Sequence, residues 1–220
     1  MRFIARFIAF TAALALSLGA NAVMAQLVAG KDYRLINPPQ QTDSGSKVEV
    51  LEFFWYGCPH CYSLQQPLQA WLKKKPADVE FRRVPAIFQD SWVPLTKTFY
   101  AIEAMGLVDK LHHDVFVAIH QQKARLNDSK VLFDWIASKG VDRQKFIDTY
   151  NSFAVQGRTQ RSIDLTRKHD IPGTPALTVD GKYLTAPSMV LNPDNSVNYE
   201  QYFQKLDQVI ALARKSRGGK

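Results

Sequence analysis

Cys58 and Cys61 are the two cysteines of a 220-residue chain, and they stand two residues apart, directly after the apolar run Phe53-Phe54-Trp55-Tyr56. A disulfide across so short a loop removes little unfolded-state entropy, so its formation and reopening is chemistry more than reinforcement. Thiol–disulfide exchange is the reaction such a pair supports. Three other uses compete. A closed structural zinc site takes four ligands, and Cys58, His60 and Cys61 supply at most three, although a copper or zinc binding protein using those residues stays open as a rival of another class. Covalent haem attachment needs His directly after the second cysteine, where this chain has Tyr62. A structural disulfide here stabilises little.

The elements around the pair say how it is held. Residues 47–56 alternate as a strand, with Val48, Val50, Glu52, Phe54 and Tyr56 on one face and Glu49, Leu51, Phe53 and Trp55 on the other. Apolar residues on both faces mark a central strand. After Gly57 the period changes to that of a helix, through Tyr62, Leu64, Leu68, Trp71 and Leu72. Cys58 therefore sits at a helix N-terminus, where unpaired N–H groups and the dipole favour a thiolate. Pro59 suits the first turn, having no N–H to lose. His60 adds a donor and, when protonated, a charge. Cys61, one turn deeper, is the less exposed thiol. Cys58 is the expected nucleophile and Cys61 the resolving thiol. Each pKa unit by which Cys58 falls below neutral stabilises the reduced pair by ~1.4 kcal/mol, or ~30 mV. Depression of Cys58 thus makes the disulfide an oxidant.

Residues 1–25 read as a cleavable export signal: Arg2 and Arg6, an apolar core over residues 7–18 shorter than the ~20 residues of a spanning helix, and the small-residue site Val23-Met24-Ala25. Outside the cytosol disulfides form and persist. The net charge is +8, two of it from Arg2 and Arg6 and more from Arg214, Lys215, Arg217 and Lys220. These last four are expected to form a solvated, frayed tail, and nucleic-acid binding is not expected.

Farther along, residues 79–84 read as a second strand. Pro67 should kink the first helix without ending it. Residues 88–151 carry four successive helical stripes with no strand between them, and residues 152–169 a polar helix. Asp180-Gly181 between short apolar runs is a hairpin signal, and Tyr199, Phe203, Leu206 and Ile210 describe a last helix. The expected class is α/β, a mixed sheet with an inserted all-helical subdomain: 26–87 and 152–220 form the sheet domain, and 88–151 the insertion. Glu52 shares a face with Val48, Val50 and Phe54, so it should be buried with a raised pKa. His112, His113, His120 and His169 fall at polar helical positions and are expected at the surface.

Phe53-Phe54, Cys58-Pro59-His60-Cys61 and Gly173-Thr174-Pro175, together with the helical insertion, resemble the thioredoxin superfamily and, within it, the DsbA-type thiol:disulfide oxidoreductases of the Gram-negative periplasm. The resemblance covers roughly residues 48–213. It implies a thioredoxin-like fold, a cis peptide bond at Pro175 with Thr174 beside Cys58, and a proton-transfer role for Glu52 beneath the cysteines. It also implies disulfide donation to unfolded exported polypeptides that touch Phe54, Trp55, His60 and Thr174, and reoxidation by a quinone-linked membrane oxidase of the DsbB type. No cofactor beyond the Cys58–Cys61 disulfide, no metal and a periplasmic monomer are expected. Within redox chemistry the rival is a disulfide isomerase or reductase. The loop-like residues ahead of Val48 leave little room for the dimerisation domain of such isomerases.

Overall fold

The computed structural model describes residues 26–218. The export signal expected over residues 1–25, and Lys220, lie outside the described residues.

Elements follow in the order β1 (Arg34–Leu35), β2 (Val48–Phe54), α1 (Pro59–Leu72), β3 (Val79–Pro85), α2 (Val93–Ala104), α3 (Val108–His120), α4 (Ser129–Ser138), α5 (Arg143–Tyr150), α6 (Phe153–Lys168), β4 (Ala176–Val179), β5 (Tyr183–Thr185) and α7 (Tyr199–Gly218). The strands make one mixed sheet in the order β1-β5-β4-β2-β3. β2 and β3 are parallel, which demands a long crossover, and α1 supplies it. The other pairings are antiparallel.

β2 is buried at every position because it is apolar on both faces. Val48 and Val50 pack with Leu64 and Leu68 of α1 and with Leu206 and Val209 of α7. Leu51 and Phe53 meet Val84, Ile171 and Ala176 on the opposite side. At and just beyond the end of β2, Phe54 and Tyr56 enter a third cluster with Phe99, Ile102, Leu111 and Phe116 from α2 and α3. That cluster fastens the helical segment to the end of the sheet where the cysteines stand. Local chemistry sets the boundaries. Asp142 and Ser152 cap α5 and α6 by accepting N–H groups of Lys145 and Val155. Asp180 and Gly181 both take positive φ, 57° and 62°, as a type I′ turn between β4 and β5 requires.

The basic tail is not the frayed end its composition suggests. α7 continues to Gly218, and Arg214 holds Asp78 with Nε and Nη2 at 2.6 and 2.7 Å. Arg217 binds Asp180, Nε to Oδ1 at 2.9 Å, and donates from Nη1 to the carbonyls of Gly45 and Ser46 at 3.1 and 2.8 Å. Asp180 is buried, so its carboxylate needs this cation more than the tail needs solvent. Arg217→Ala should lower the unfolding free energy by about 1–3 kcal/mol, since it deprives a buried acceptor of its donor. The urea midpoint reads this loss, and the midpoint of Lys215→Ala, at an exposed position, should stay unchanged.

Candidate active site

Cys58 is the N-cap of α1, with extended φ and ψ of −87° and 117°, and Pro59 is the first helical residue. The Cys58 sulfur accepts the Cys61 N–H at 3.4 Å, so it occupies the place where a capping serine would put its oxygen. A turn leads into the cap, closed by the Cys58 N–H donating to the Trp55 carbonyl at 3.0 Å. Inside that turn a Cβ on Gly57 would stand 2.4 Å from the Trp55 indole, so the ring lies over a position only glycine leaves free. Both thiols are unbonded; Cys58 is 8% exposed and Cys61 0%.

The two thiols have opposite acidities. A hydrogen bond from the Cys61 side chain is the largest influence on Cys58. Burial opposes it, while Thr174 and the backbone N–H groups of Cys61 and His60 reinforce it, and the thiol is held down to about 5. Cys61 is pushed up, first by burial and then by its bond to Cys58 and that neighbour's charge. One cysteine is thus a thiolate at neutral pH and the other keeps its proton.

The Thr174–Pro175 bond is cis, as the resemblance implied, and the Cys58 Sγ lies 3.3 Å from the Thr174 carbonyl oxygen, to which it donates only in its protonated thiol form. A cleft of about 470 Å³ opens beside them, lined by His60, Thr174, Pro175, Ala176, Leu191 and Tyr199 among others. His60 is exposed where it lines the cleft, and its neighbour Pro59 is exposed too. His60 reaches the sulfur through its backbone N–H.

Glu52 is fully buried. Burial raises its pKa, while the Arg83 charge and a hydrogen bond from Gln65 work against that rise. Its Oε2 lies 3.2 Å from Arg83 Nε. Gln65 Nε2 donates to Glu52 Oε1 at 3.5 Å and to the Cys61 carbonyl at 3.1 Å, which ties the carboxylate to the resolving cysteine's turn.

The expectations change at Phe54 and at two of the histidines. Phe54 is 0% exposed, edge-to-face with Tyr56, Phe99 and His112, so it supports the site from inside and does not face a substrate. Trp55 is half-buried, its indole parallel to Trp92 at 4.0 Å. The histidines are not all at the surface. His112 and His169 are 3% and 1% exposed. Burial lowers both, His112 well below the usual range and His169 to about 4. His112 Nδ1 meets the Tyr56 hydroxyl at 2.8 Å, and His169 packs on Phe53. Their polarity pointed outward, yet His112 stands three and four residues before Val115 and Phe116, on the same helical stripe, which is the signal that finds it.

Three site residues were not legible beforehand. Arg83 had a signal: β2 and β3 pair from Val48 opposite Val79, and counting four residues along each puts Glu52 opposite Arg83. Gln65 is simply four residues after Cys61 on α1. Tyr199, from the start of α7, has a phenol raised first by burial and then by the nearby cysteines, and nothing local announces it. Among the described residues no group of three His, Cys, Asp or Glu side chains could hold a metal ion.

A family model described as a DSBA-like thioredoxin domain matches residues 83–204. A thiol:disulfide interchange protein DsbA of Burkholderia cepacia is 44% identical over 181 residues, 80% of this chain and 85% of that protein. One from Bordetella parapertussis is 40% identical over 210 residues, 96% of this chain and 97% of its own length. The crystal structure of Pseudomonas aeruginosa DsbA superposes with a TM-score of 0.79 at 35% identity, covering 87% of this chain and 97% of that one.

Proposed function

The chain belongs to the DsbA-like thioredoxin family, and from that premise we propose that Cys58 and Cys61 form the disulfide it donates to newly exported polypeptides. It is a protein thiol:disulfide oxidoreductase with a thioredoxin-like fold. The acidity split between the two cysteines carries the assignment of roles: Cys58, held near 5, is the atom a substrate attacks and the group that leaves last.

In the first step a substrate thiolate attacks Cys58 Sγ. The bond between Cys58 and Cys61 breaks and Cys61 departs with the electron pair, taking a proton. Glu52 is the nearby carboxyl proposed to supply it, and Gln65 holds that carboxyl against the Cys61 turn. In the second step another thiolate of the same substrate attacks its own sulfur in the mixed disulfide, and Cys58 leaves as a thiolate. The substrate loses two electrons and the pair gains them. The cleft at Thr174, Pro175 and His60, together with Trp55, is the proposed substrate surface. Apolar walls and backbone suit clients that share no sequence. Reoxidation is assigned to a quinone-linked membrane oxidase of the DsbB type, location to the periplasm and the working form to a monomer. Residues 26–87 with 152–220 are the proposed catalytic unit, and 88–151 the inserted helical one.

The direction of transfer follows from linkage. The Cys58 pKa is depressed in the folded reduced protein, from 9.0 to about 5, so its contribution to stability is full above the unfolded value and lost as pH falls toward the folded one. At pH 7 it stabilises the reduced form by about 3 kcal/mol, or roughly 60 mV of oxidising power. The equilibrium constant with glutathione should therefore favour the reduced protein strongly at pH 7 and less so at pH 5. A pair no more oxidising than thioredoxin, with no transfer to a reduced model protein, would overturn the proposal. A scrambled-disulfide refolding assay separates donation from isomerisation.

A further inference from the structure

His120, the last residue of α3, reaches the loop ahead of the cysteines. Its Nε2 lies 2.8 Å from the Tyr56 carbonyl oxygen. A carbonyl only accepts, so Nε2 carries the proton. Its ring also lies parallel to Tyr62, 4° between planes at 5.2 Å, and Tyr62 directly follows Cys61. One imidazole thus grips the chain on both sides of the redox pair.

The carbonyl it holds belongs to the central peptide of the turn from Trp55 to Cys58, whose ends are joined by the Cys58 N–H and the Trp55 carbonyl. A central peptide of this kind has two orientations, and flipping it from type I toward type II asks for positive φ at the third residue, which glycine accepts at no cost. That third residue is Gly57, which does not have positive φ here. Nothing in Gly57 itself forbids the flip. The Tyr56 side chain does not select the orientation either, because His112 anchors its hydroxyl separately. His120 holds the oxygen, the negative end of the peptide dipole, against α3, while the Cys58 sulfur makes its own contact with the Thr174 carbonyl.

We propose that His120 is a positioning residue for disulfide exchange, fixing the Tyr56–Gly57 peptide so that its oxygen stays turned from the Cys58 sulfur and the thiolate keeps its stabilised surroundings. The inference rests on the reading of Cys58 as the attacked sulfur. Gln at this position presents an amide N–H close to where Nε2 stands, whereas Ala presents none.

The experiment compares the wild type, His120→Ala and His120→Gln by their equilibrium constants with glutathione and by the pH dependence of Cys58 alkylation. In His120→Ala the constant should move toward the oxidised protein by about three- to tenfold, the net worth of one hydrogen bond, and the alkylation midpoint should rise with it. His120→Gln should restore both. A folded His120→Ala protein with unchanged constant and midpoint would overturn the proposal, as would a His120→Gln protein displaced as far as His120→Ala. A wild type that is itself not oxidising would count against the functional assignment instead, so the two failures are told apart.

Discussion

Cys58→Ser should abolish disulfide transfer to a reduced model polypeptide, and so should Cys61→Ser, which can form no internal disulfide to donate but keeps the Cys58 thiolate, so that added oxidised glutathione is attacked at one sulfur, releases glutathione thiolate and leaves a mixed disulfide at Cys58. A serine hydroxyl stays protonated at neutral pH, and the exchange needs a sulfur able to leave as an anion. The second variant is the more informative, because the Cys61 side chain is the largest influence on Cys58 acidity. Cys61→Ala removes that donor and should raise the Cys58 alkylation midpoint clearly above 5. Cys61→Ser still offers a hydroxyl and should raise it less. Thiolate absorbance against pH measures both. If the two midpoints matched that of the native dithiol, the helix N-terminus alone would be setting the acidity, and the weight given to the thiol pair would be wrong.

Glu52→Leu should be the most destabilising single substitution near the site. It leaves Arg83, 11% exposed along its side chain, without its counter-charge, a loss of about 3–5 kcal/mol for a broken buried pair. The double variant Glu52→Leu/Arg83→Met should recover most of this, since hydrophobic replacement of both ions removes the desolvation penalty along with the attraction. Urea unfolding of the wild type, both single variants and the double variant gives the coupling directly. A double variant no more stable than Glu52→Leu would show that the ion pair is not what holds this layer together. The pH signature is equally definite. The folded pKa of Glu52 is raised above 4.5, so the native state binds the extra proton between that value and the folded one. Its contribution to stability is complete below that window and lost as pH rises through it. That slope should vanish in Glu52→Leu. A wild-type slope carried over unchanged would assign the titration to another group.

Both substitutions lie on a layer that local pattern described unevenly. The strand of residues 48–54 and the helix after Cys58 were legible because burial imposes periods of two and 3.6, and the cap at Cys58 because a strand-to-helix change must leave N–H groups free. The hairpin at Asp180-Gly181 was legible from the backbone geometry these residues accept. Side chains with mixed character were read less well. Phe54 was expected to offer an apolar contact to substrate, yet the helices after β3 cover it. His112 was expected outside because it is polar, yet its ring fills a gap against Phe54 and its nitrogen satisfies Tyr56. Arg217 was assigned to a loose tail, yet a buried carboxylate in a distant hairpin holds it.

The sequence alone determined the redox pair, its place at a helix N-terminus, the direction in which the helix moves the Cys58 thiol and the α/β order of elements, because each depends on neighbours within a turn or two. Tertiary structure decided what those neighbours cannot. It brings the Thr174 carbonyl to within 3.3 Å of Cys58 from the far side of the helical segment. It pairs Glu52 with Arg83 across two strands, and it carries His120 back onto the Tyr56 carbonyl. Such contacts join residues far apart in the chain, and at the fully buried Glu52 the contact forms because packing the sheet leaves the carboxylate no water to turn to.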